Sequence, residues 1–246
     1  MNTTINTSNI AATARIASSA HIASDVIIED YVVIEDHVRI ASGCHLKAHC
    51  IIRAHTLLGE GVFVDCFSCI GGDPQITGFN RKLVSGVQVG AHTTIREGVT
   101  IHRSSLPNQN TSIGDHCMLM AQCHIAHDCN IQNHVTLVNQ VLLAGHVEAH
   151  HHATIGGGTA VHQFSRIGSY SMIGGSSTIT RDIAPGTLTS QRDHTHGINR
   201  VGLKRAGFSR EDRNELKQLY KKILEHSGDP AVLAQTIMTQ QTTTTK

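Results

Sequence analysis

An aliphatic side chain recurs at every sixth position along most of this chain. These anchor residues run from Ile10 to Ile70, from Val89 to Ile101 and from Ile113 to Ile179, broken only by the smaller Ala149. A fixed period of this kind indicates a repeat architecture, in which each repeat packs only on its neighbours. The chain is therefore predicted to be a solenoid of hexapeptide repeats.

The residue four positions after most anchors is small or β-branched, as at Ala14, Val26 and Val135. Three hexapeptides close one triangular coil, so residues 18 apart stack on successive coils. Large anchors and small partners fill a narrow prism, which agrees with 3% aromatic residues and no tryptophan. The pattern predicts an all-β solenoid of short parallel strands. It does not give the winding hand, although parallel crossovers are normally right-handed.

Most cysteines share the small inward position of the repeat. They are predicted to be buried core thiols rather than metal ligands: Cys44, Cys50, Cys117, Cys123 and Cys129. Cys66 and Cys69 form a single CxxC pair, whereas a zinc site usually needs a second pair. No metal site is predicted.

Two segments interrupt the period. Residues 71–88 and 102–112 are rich in turn-forming residues and are predicted to be loop insertions in a solenoid that spans residues 1–186. Residues 187–246 are predicted to form a linker, a short α-helical C-terminal domain and a disordered tail.

The C-terminal helical pattern has recognisable ends. Ser209 is the expected N-cap of one helix, Gly228 is expected to end it, and Asp229 begins a second short helix. These helices are predicted to cover the open end of the prism, where strand edges would otherwise be exposed.

Charge and hydropathy exclude several functional classes. The chain has 20 Lys and Arg against 19 Asp and Glu, so no basic surface points to nucleic acid. The N-terminus lacks a basic start followed by an apolar run, and no stretch is long enough to cross a membrane. We predict a cytoplasmic protein with no transmembrane segment, whose seven cysteines are reduced.

Coil stacking places chemically useful residues on one outer surface. His127, Gly145 and Gln163 are 18 residues apart and should form one column, and Asp128 and His146 should form the next. A near-neutral imidazole can take a proton from an alcohol, and a neighbouring carboxylate can orient it. A glycine N–H can approach an oxyanion. This chemistry suits acyl transfer by general-base catalysis, for which no covalent intermediate is required. Prisms of this kind commonly pack as homotrimers, which would make this surface an intersubunit cleft.

Several motifs carry a family resemblance. The segments "IREGVTIHR", "MLMAQCHIAHDC", "LAGHV", "IGGGTAVHQF" and "GLKRAGFSRE" resemble the UDP-N-acetylglucosamine O-acyltransferases of lipid A biosynthesis, from the first hexapeptides to about Glu211. The resemblance implies a left-handed parallel β-helix. It also implies transfer of a hydroxyacyl chain from acyl carrier protein to the 3-position of the sugar in a nucleotide sugar. No cofactor is implied, because the acyl thioester on the carrier protein is a co-substrate.

The resemblance also implies a role for individual residues. His127 would be the general base, Asp128 its partner and Gly145 the donor of an N–H to the oxyanion. Residues implied to hold the sugar and acyl groups are His124, His146, His162 and Gln163. Residues implied to lie near the nucleotide, the carrier or the end of the acyl groove are Asn199, Arg205 and Gly175.

The chain departs from the family pattern where the family contacts the nucleotide and sugar. Ile76 and Gly78 replace an acid and a lysine, Val201 replaces an acid, and Ala206 replaces an arginine. These changes indicate a divergent member whose acceptor could be a nucleotide sugar other than UDP-N-acetylglucosamine.

Two alternatives stay open at this point. One is an inactive or altered paralogue that binds a different nucleotide sugar, which the changed contacts favour and the His127–Asp128 pair opposes. The other is a metal-dependent hydratase like the γ-class carbonic anhydrases, for which His146 and His151 have a suitable spacing near His127.

Overall fold

The structure is a computed structural model that describes residues 9–225. Within these residues the chain winds as a parallel β-helix with three faces, and each face is one sheet. As far as residue 179, successive strands pass from face to face in turn, so neighbours within a sheet are three strands apart in sequence. The triangular coil predicted from the six-residue period is confirmed.

The strands are numbered in chain order. Face 1 contains β1 (Arg15–Ile16), β4 (Val33–Ile34), β7 (Ile51–Ile52), β10 (Cys69–Gly72), β13 (Thr100–His102), β16 (His124–Ile125), β19 (Leu142–Leu143), β22 (Ala160–Val161) and β25 (Thr178–Ile179). Face 2 contains β2 (His21–Ile22), β5 (Arg39–Ile40), β8 (Thr56–Leu58), β11 (Gly86–Val89), β14 (Asn110–Ile113), β17 (Asn130–Ile131), β20 (Glu148–Ala149) and β23 (Arg166–Ile167). Face 3 contains β3 (Ile27–Ile28), β6 (His45–Leu46), β9 (Phe63–Val64), β12 (Thr94–Ile95), β15 (Met118–Leu119), β18 (Thr136–Leu137), β21 (Thr154–Ile155), β24 (Met172–Ile173), β26 (Thr187–Ser190) and β27 (His194–Ile198).

Short turns join the faces at three corners, which we name corner 1–2, corner 2–3 and corner 3–1 after the faces they connect. The anchors stack in register across coils: Leu137 lies beside Ile155, and Ile125 beside Leu143. The anchors and their small partners fill the prism, and even the irregular anchor Ala149 is fully buried. Burial of these aliphatic side chains is the main source of stability in a core that lacks large rings.

The cysteines occupy the positions that the repeat predicts. The five at the small inward position are buried: Cys44, Cys50, Cys117, Cys123 and Cys129. Burial raises the pKa of the Cys129 thiol to about 12, so this group stays protonated. Cys66 and Cys69 are partly exposed, and all seven thiols are free.

Both insertions leave the solenoid at corner 1–2. Residues 71–88 join β10 to β11, and residues 102–112 join β13 to β14 on the next coil. The Ser85 hydroxyl donates to the Ser104 carbonyl at 2.6 Å, so the two insertions are directly bonded. Together the two insertions form one hydrogen-bonded loop region at a single corner of an otherwise regular prism.

The linker predicted from residue 187 onward is wrong at its start. Strand β26 continues face 3 beside β24, and β27 returns antiparallel to it. In β26 the inward residues are Thr187 and Thr189, whereas Leu188 is exposed. Their hydroxyls bond to the Ala184 carbonyl and to Thr195 respectively. A search for aliphatic anchors misses this coil because its inward side chains are hydrogen-bonded threonines.

Two helices, α1 (Arg200–Arg205) and α2 (Arg210–Glu225), follow the hairpin. Leu203 is buried, and the Tyr220 hydroxyl donates to the Pro185 carbonyl at 2.5 Å, so the helices contact the end of the prism. The N-cap prediction is confirmed, because the Ser209 hydroxyl accepts from the Asp212 N–H at 3.0 Å. The helix end at Gly228, the second helix from Asp229 and the disordered tail lie outside the described residues. No helix within residues 9–225 is long and apolar enough to span a bilayer.

Burial predicts different losses of stability for two leucines on the consecutive strands β18 and β19. Leu137 is fully buried and Leu142 is 49% exposed. We expect Leu137→Ala to lower the free energy of unfolding by about 2–5 kcal/mol and Leu142→Ala by roughly 1 kcal/mol or less. Denaturant titration followed by circular dichroism measures both, and equal losses would contradict the assigned core.

Candidate active site

The centre of the candidate site is a histidine–aspartate pair at corner 1–2. His127 and Asp128 form the turn between β16 and β17. The His127 Nδ1 atom lies 2.7 Å from the Asp128 Oδ2 atom. An ionised carboxylate only accepts hydrogen bonds, so the His127 proton resides on Nδ1 and Nε2 is left as a proton acceptor. This is the arrangement of a general base with an orienting carboxylate.

Four further contacts hold the Asp128 carboxylate, whose side chain is only 7% exposed. The hydroxyls of Ser104 and Ser105 both donate to it, and the Ser105 N–H donates to both oxygens at 3.1 and 3.3 Å. Burial acts to raise the pKa of Asp128, but the hydrogen bonds from the two serines and His127 outweigh it and leave the pKa below its ordinary value. The carboxylate is therefore ionised near neutral pH.

Gly145 stacks on His127 in the next coil, as predicted. A Cβ atom at Gly145 would lie 2.7 Å from Cε1 and 2.9 Å from Nε2 of the His127 ring. Any larger residue would push the imidazole out of place, which explains the glycine. The Gly145 carbonyl accepts from the Phe164 N–H at 3.1 Å, and this continues the column to the following coil.

His146 stands beside the pair. Its ring is perpendicular to that of His127, with centroids 5.2 Å apart, and it stacks on Phe164 at 4.6 Å. The His146 Nε2 atom is 3.7 Å from the Asp128 Oδ2 atom, which is too long for a hydrogen bond. His146 is thus positioned by stacking and is available to a ligand.

Two more histidines line the approach on face 1. The His124 Nδ1 atom lies 2.8 Å from the Thr100 hydroxyl, and its ring meets His102 edge-on at 4.7 Å. Burial, with smaller contributions from His124 and His127, lowers the pKa of His102 to about 4. Burial also lowers the pKa of His124. Both rings are therefore neutral near pH 7 and can donate or accept a hydrogen bond.

A groove of about 550 Å³ runs along face 1 beside His127. Its lining combines polar side chains with small or aliphatic residues. The lining residues are Gln75, His102, His124, Ala126, His127, Leu142, Leu143, Ala144, Gly145, Ala160 and Val161. The mixture suits a ligand with a polar end at His127 and an apolar chain along face 1.

The structure does not bring all of the predicted residues into this groove. His162 and Gln163 are exposed on the next coil, and the His162 Nδ1–H donates to the Gln163 carbonyl at 3.1 Å. Gly175 lies at corner 3–1, where a Cβ would be 3.1 Å from the Gly157 carbonyl oxygen. Close packing of two coils is thus one reason for that glycine, and its role in limiting acyl length stays a prediction.

Asn199 and Arg205 lie at corner 2–3, on a different corner from His127. The Asn199 side chain accepts from the Gly202 N–H at 3.0 Å and donates to the Tyr170 carbonyl at 2.9 Å. It therefore caps α1 and ties this helix to the solenoid. Both residues line a separate groove of about 490 Å³ that also contains His152.

One donor atom each of His127, Asp128 and His146 lies within 4.8 Å of the others, a spacing that a metal ion could use. However, both Asp128 oxygens already accept hydrogen bonds from the chain itself. Within one chain His151, which the hydratase alternative invoked, lies at corner 2–3 and does not join this cluster. The saturated carboxylate fits a proton-transfer pair better than a metal ligand.

Comparisons with known proteins identify the family of this chain. A family model described as UDP-N-acetylglucosamine O-acyltransferase, domain 2, matches residues 182–245. LpxA from Acinetobacter baumannii superimposes with a TM-score of 0.86 at 35% identity, covering 90% of this chain and 86% of that one. The UDP-N-acetylglucosamine acyltransferase from Campylobacter jejuni gives a TM-score of 0.87 at 32% identity, covering 94% and 90%. The chain belongs to the UDP-N-acetylglucosamine O-acyltransferase family.

A curated member of this family shows how far the sequence likeness extends. The acyl-[acyl-carrier-protein]–UDP-N-acetylglucosamine O-acyltransferase of Sinorhizobium medicae is 39% identical over 173 residues, which are 70% of this chain. The match spans 64% of that relative's length. Family membership confirms the fold predicted from the motifs, a left-handed parallel β-helix with a small helical C-terminal part.

The four positions where the resemblance implies a departure from the family pattern are exposed. Ile76 and Gly78 lie in the 71–88 insertion, next to the groove residue Gln75. Val201 and Ala206 lie in and after α1, at corner 2–3. The His127–Asp128 pair is unaffected by these changes.

Sequence reasoning missed His102, Ser104, Ser105 and Gln75. The quoted motif "IREGVTIHR" contains His102, so resemblance could have pointed to it. The serines sit in an insertion without a period, and only the folded loop brings them to Asp128.

The lowered pKa of His102 predicts a pH-dependent stability. The folded chain holds this ring neutral down to about pH 4, whereas an unfolded histidine titrates near pH 6.5. Stability from this group is complete above pH 6.5 and is lost as the pH falls toward 4, by at most roughly 3 kcal/mol. We expect the unfolding free energy of His102→Gln to fall less than that of the wild type over this range. Parallel slopes in urea titrations at pH 7, 5.5 and 4.5 would contradict the assignment.

Proposed function

We propose that this chain transfers a hydroxyacyl chain from a thioester on acyl carrier protein to the 3-hydroxyl of the sugar in UDP-N-acetylglucosamine. The main support for this proposal is the 2.7 Å contact between His127 Nδ1 and Asp128 Oδ2. It leaves His127 Nε2 as a proton acceptor beside the groove. The names of the relatives suggest the substrates, and the groove offers both polar and apolar side chains to bind them.

The proposed chemistry needs one base. The sugar hydroxyl oxygen attacks the thioester carbonyl carbon while His127 Nε2 takes its proton. The tetrahedral intermediate then collapses, the C–S bond breaks, and the imidazolium returns the proton to the leaving thiolate. Between these two proton transfers Asp128 stabilises the His127 imidazolium, without itself accepting the proton.

The oxyanion of the intermediate needs a donor close to His127. Gly145 is buried in the coil above, and its N–H makes no hydrogen bond to any other residue of the 9–225 segment. We propose that this N–H donates to the oxyanion, as the resemblance implies. Such a donor typically contributes about 10²- to 10³-fold to the rate.

An acidic partner would find a complementary surface on the helices. A depression of about 760 Å³ is lined by five basic residues and two others: Arg200, Val201, Lys204, Arg205, Arg210, Arg213 and Asn214. No acidic side chain lines it. Acyl carrier protein, the donor named for the relatives, is the partner that we propose for this surface.

We propose a homotrimer as the working assembly. In one chain, His127 lies at corner 1–2 and Arg205 at corner 2–3, so the predicted residues do not share a groove. Threefold packing would set corner 2–3 of one prism against corner 1–2 of the next. We also propose a cytoplasmic location, as the sequence predicts.

A related acceptor is the second candidate. Ile76 is 42% exposed beside the groove residue Gln75, and Gly78 has open space around it. The insertion therefore offers no acid and no lysine at these two positions. This observation favours an acceptor sugar that differs from N-acetylglucosamine where the family makes charged contacts.

His127→Ala is expected to lower kcat by about 10²- to 10⁴-fold, because the general base is lost. The matched control is His21→Ala, an exposed histidine of β2 several coils away from His127. A coupled assay of acyl transfer from carrier protein measures both. Full activity of His127→Ala would overturn the proposed mechanism, and loss of activity on chelation would instead favour the metal alternative.

Acceptor choice can be tested with a panel of nucleotide sugars. Wild-type protein is offered hydroxyacyl carrier proteins of several chain lengths with UDP-N-acetylglucosamine and with other UDP- and dTDP-sugars. Mass spectrometry identifies each product, and initial rates give kcat/KM for each acceptor. We expect one acceptor to be preferred by at least tenfold in kcat/KM. Turnover with none of them, together with measurable binding, would identify a non-catalytic paralogue.

A further inference from the structure

Two consecutive serines enclose the carboxylate of Asp128. Ser104 is fully buried, and its hydroxyl donates to Oδ1, while the Ser105 hydroxyl donates to Oδ2 at 2.5 Å. The Oδ2 atom is also the one that accepts from His127 Nδ1. The two hydroxyls and the imidazole therefore share one negative charge.

The insertions hold this serine pair rigidly. The buried Arg103 side chain donates to the Asp73 carboxylate at 2.9 Å and to the Leu83 carbonyl at 2.5 Å. The Ser85 hydroxyl donates to the Ser104 carbonyl at 2.6 Å. Residues 71–88 thus fix the backbone on which the serines stand, so the hydroxyls reach Asp128 without reorganisation.

We propose that Ser104 and Ser105 are positioning residues that set the proton affinity of the His127–Asp128 pair. Each hydroxyl withdraws negative charge from the carboxylate and weakens its attraction for an imidazolium. With both donors present, Asp128 orients His127 without holding the accepted proton too strongly, which lets the proton pass on to the leaving group. The inference rests on the proposed function for its kinetic consequence only.

Other ionisable groups face His127, and they are the same in all variants considered below. They are His102 and His124 on face 1 and His146 on the coil above. None of these three is bonded to Ser104 or Ser105 through its side chain. Removing the hydroxyls therefore alters the Asp128 environment directly.

The test compares Ser105→Ala and the double variant Ser104→Ala/Ser105→Ala with two controls. Ser105→Thr keeps the hydroxyl, and Ser112→Ala removes a serine of β14 whose hydroxyl bonds to Asn130 instead. The Asp128 carboxyl is followed by ¹³C NMR against pH, with its signal assigned as the one lost in Asp128→Asn.

We expect the Asp128 pKa to rise by about one unit in the double variant and by less in Ser105→Ala. The acidic limb of kcat/KM should move to higher pH, and kcat should fall about tenfold while KM changes little. Ser105→Thr and Ser112→Ala should match the wild type in all of these measurements.

An unchanged Asp128 titration in folded Ser105→Ala would overturn the inference, as would a loss of kcat without movement of the acidic limb. The single variant keeps the test available if the double variant does not fold. If the wild type shows no turnover, the proposed function fails, and the Asp128 titration still decides the role of the serines.

Discussion

Parallel backbone pairing between successive coils is the interaction on which the rest of this structure depends. Each strand is only two to five residues long. Its position is therefore fixed by hydrogen bonds to the strands of the neighbouring coils. Outside the coils that carry the two insertions, a spacing of 18 residues aligns equivalent corner positions in columns. Aromatic rings stack along such columns. The ring centroids of His134 and His152 are 4.6 Å apart, and those of His152 and Tyr170 are 4.7 Å apart.

The candidate site uses such a column and then modifies it. Stacking alone puts Gly145 over His127, and the missing Cβ gives the imidazole its room. The insertion at 102–112 replaces a simple turn at the same corner and brings two serines to Asp128. A regular surface thereby becomes an environment in which a carboxylate stays ionised although it is almost fully buried.

Under the proposed function, the separation of the two grooves would let the acceptor site diverge while the proton-transfer pair stays intact. Exchanges such as Ile76 and Val201 are exposed on the 71–88 insertion or on α1, away from the hydrogen bonds of Asp128. The base and its partner are held by the solenoid and by short loops bonded to it. Exposed residues on the 71–88 insertion and on α1 can therefore vary without disturbing the core or the hydrogen bonds of Asp128.

The sequence by itself determined the solenoid, the inward cysteines and the pairing of His127 with Asp128 and Gly145, because a strict period converts spacing directly into position. The winding hand came from family likeness. Only the tertiary structure showed that Ser104 and Ser105 bind the Asp128 carboxylate. It also showed that β26 extends face 3. Ser104 and Thr187 act through hydrogen bonds made by aperiodic or polar segments, and such bonds leave no hydrophobic pattern in the sequence.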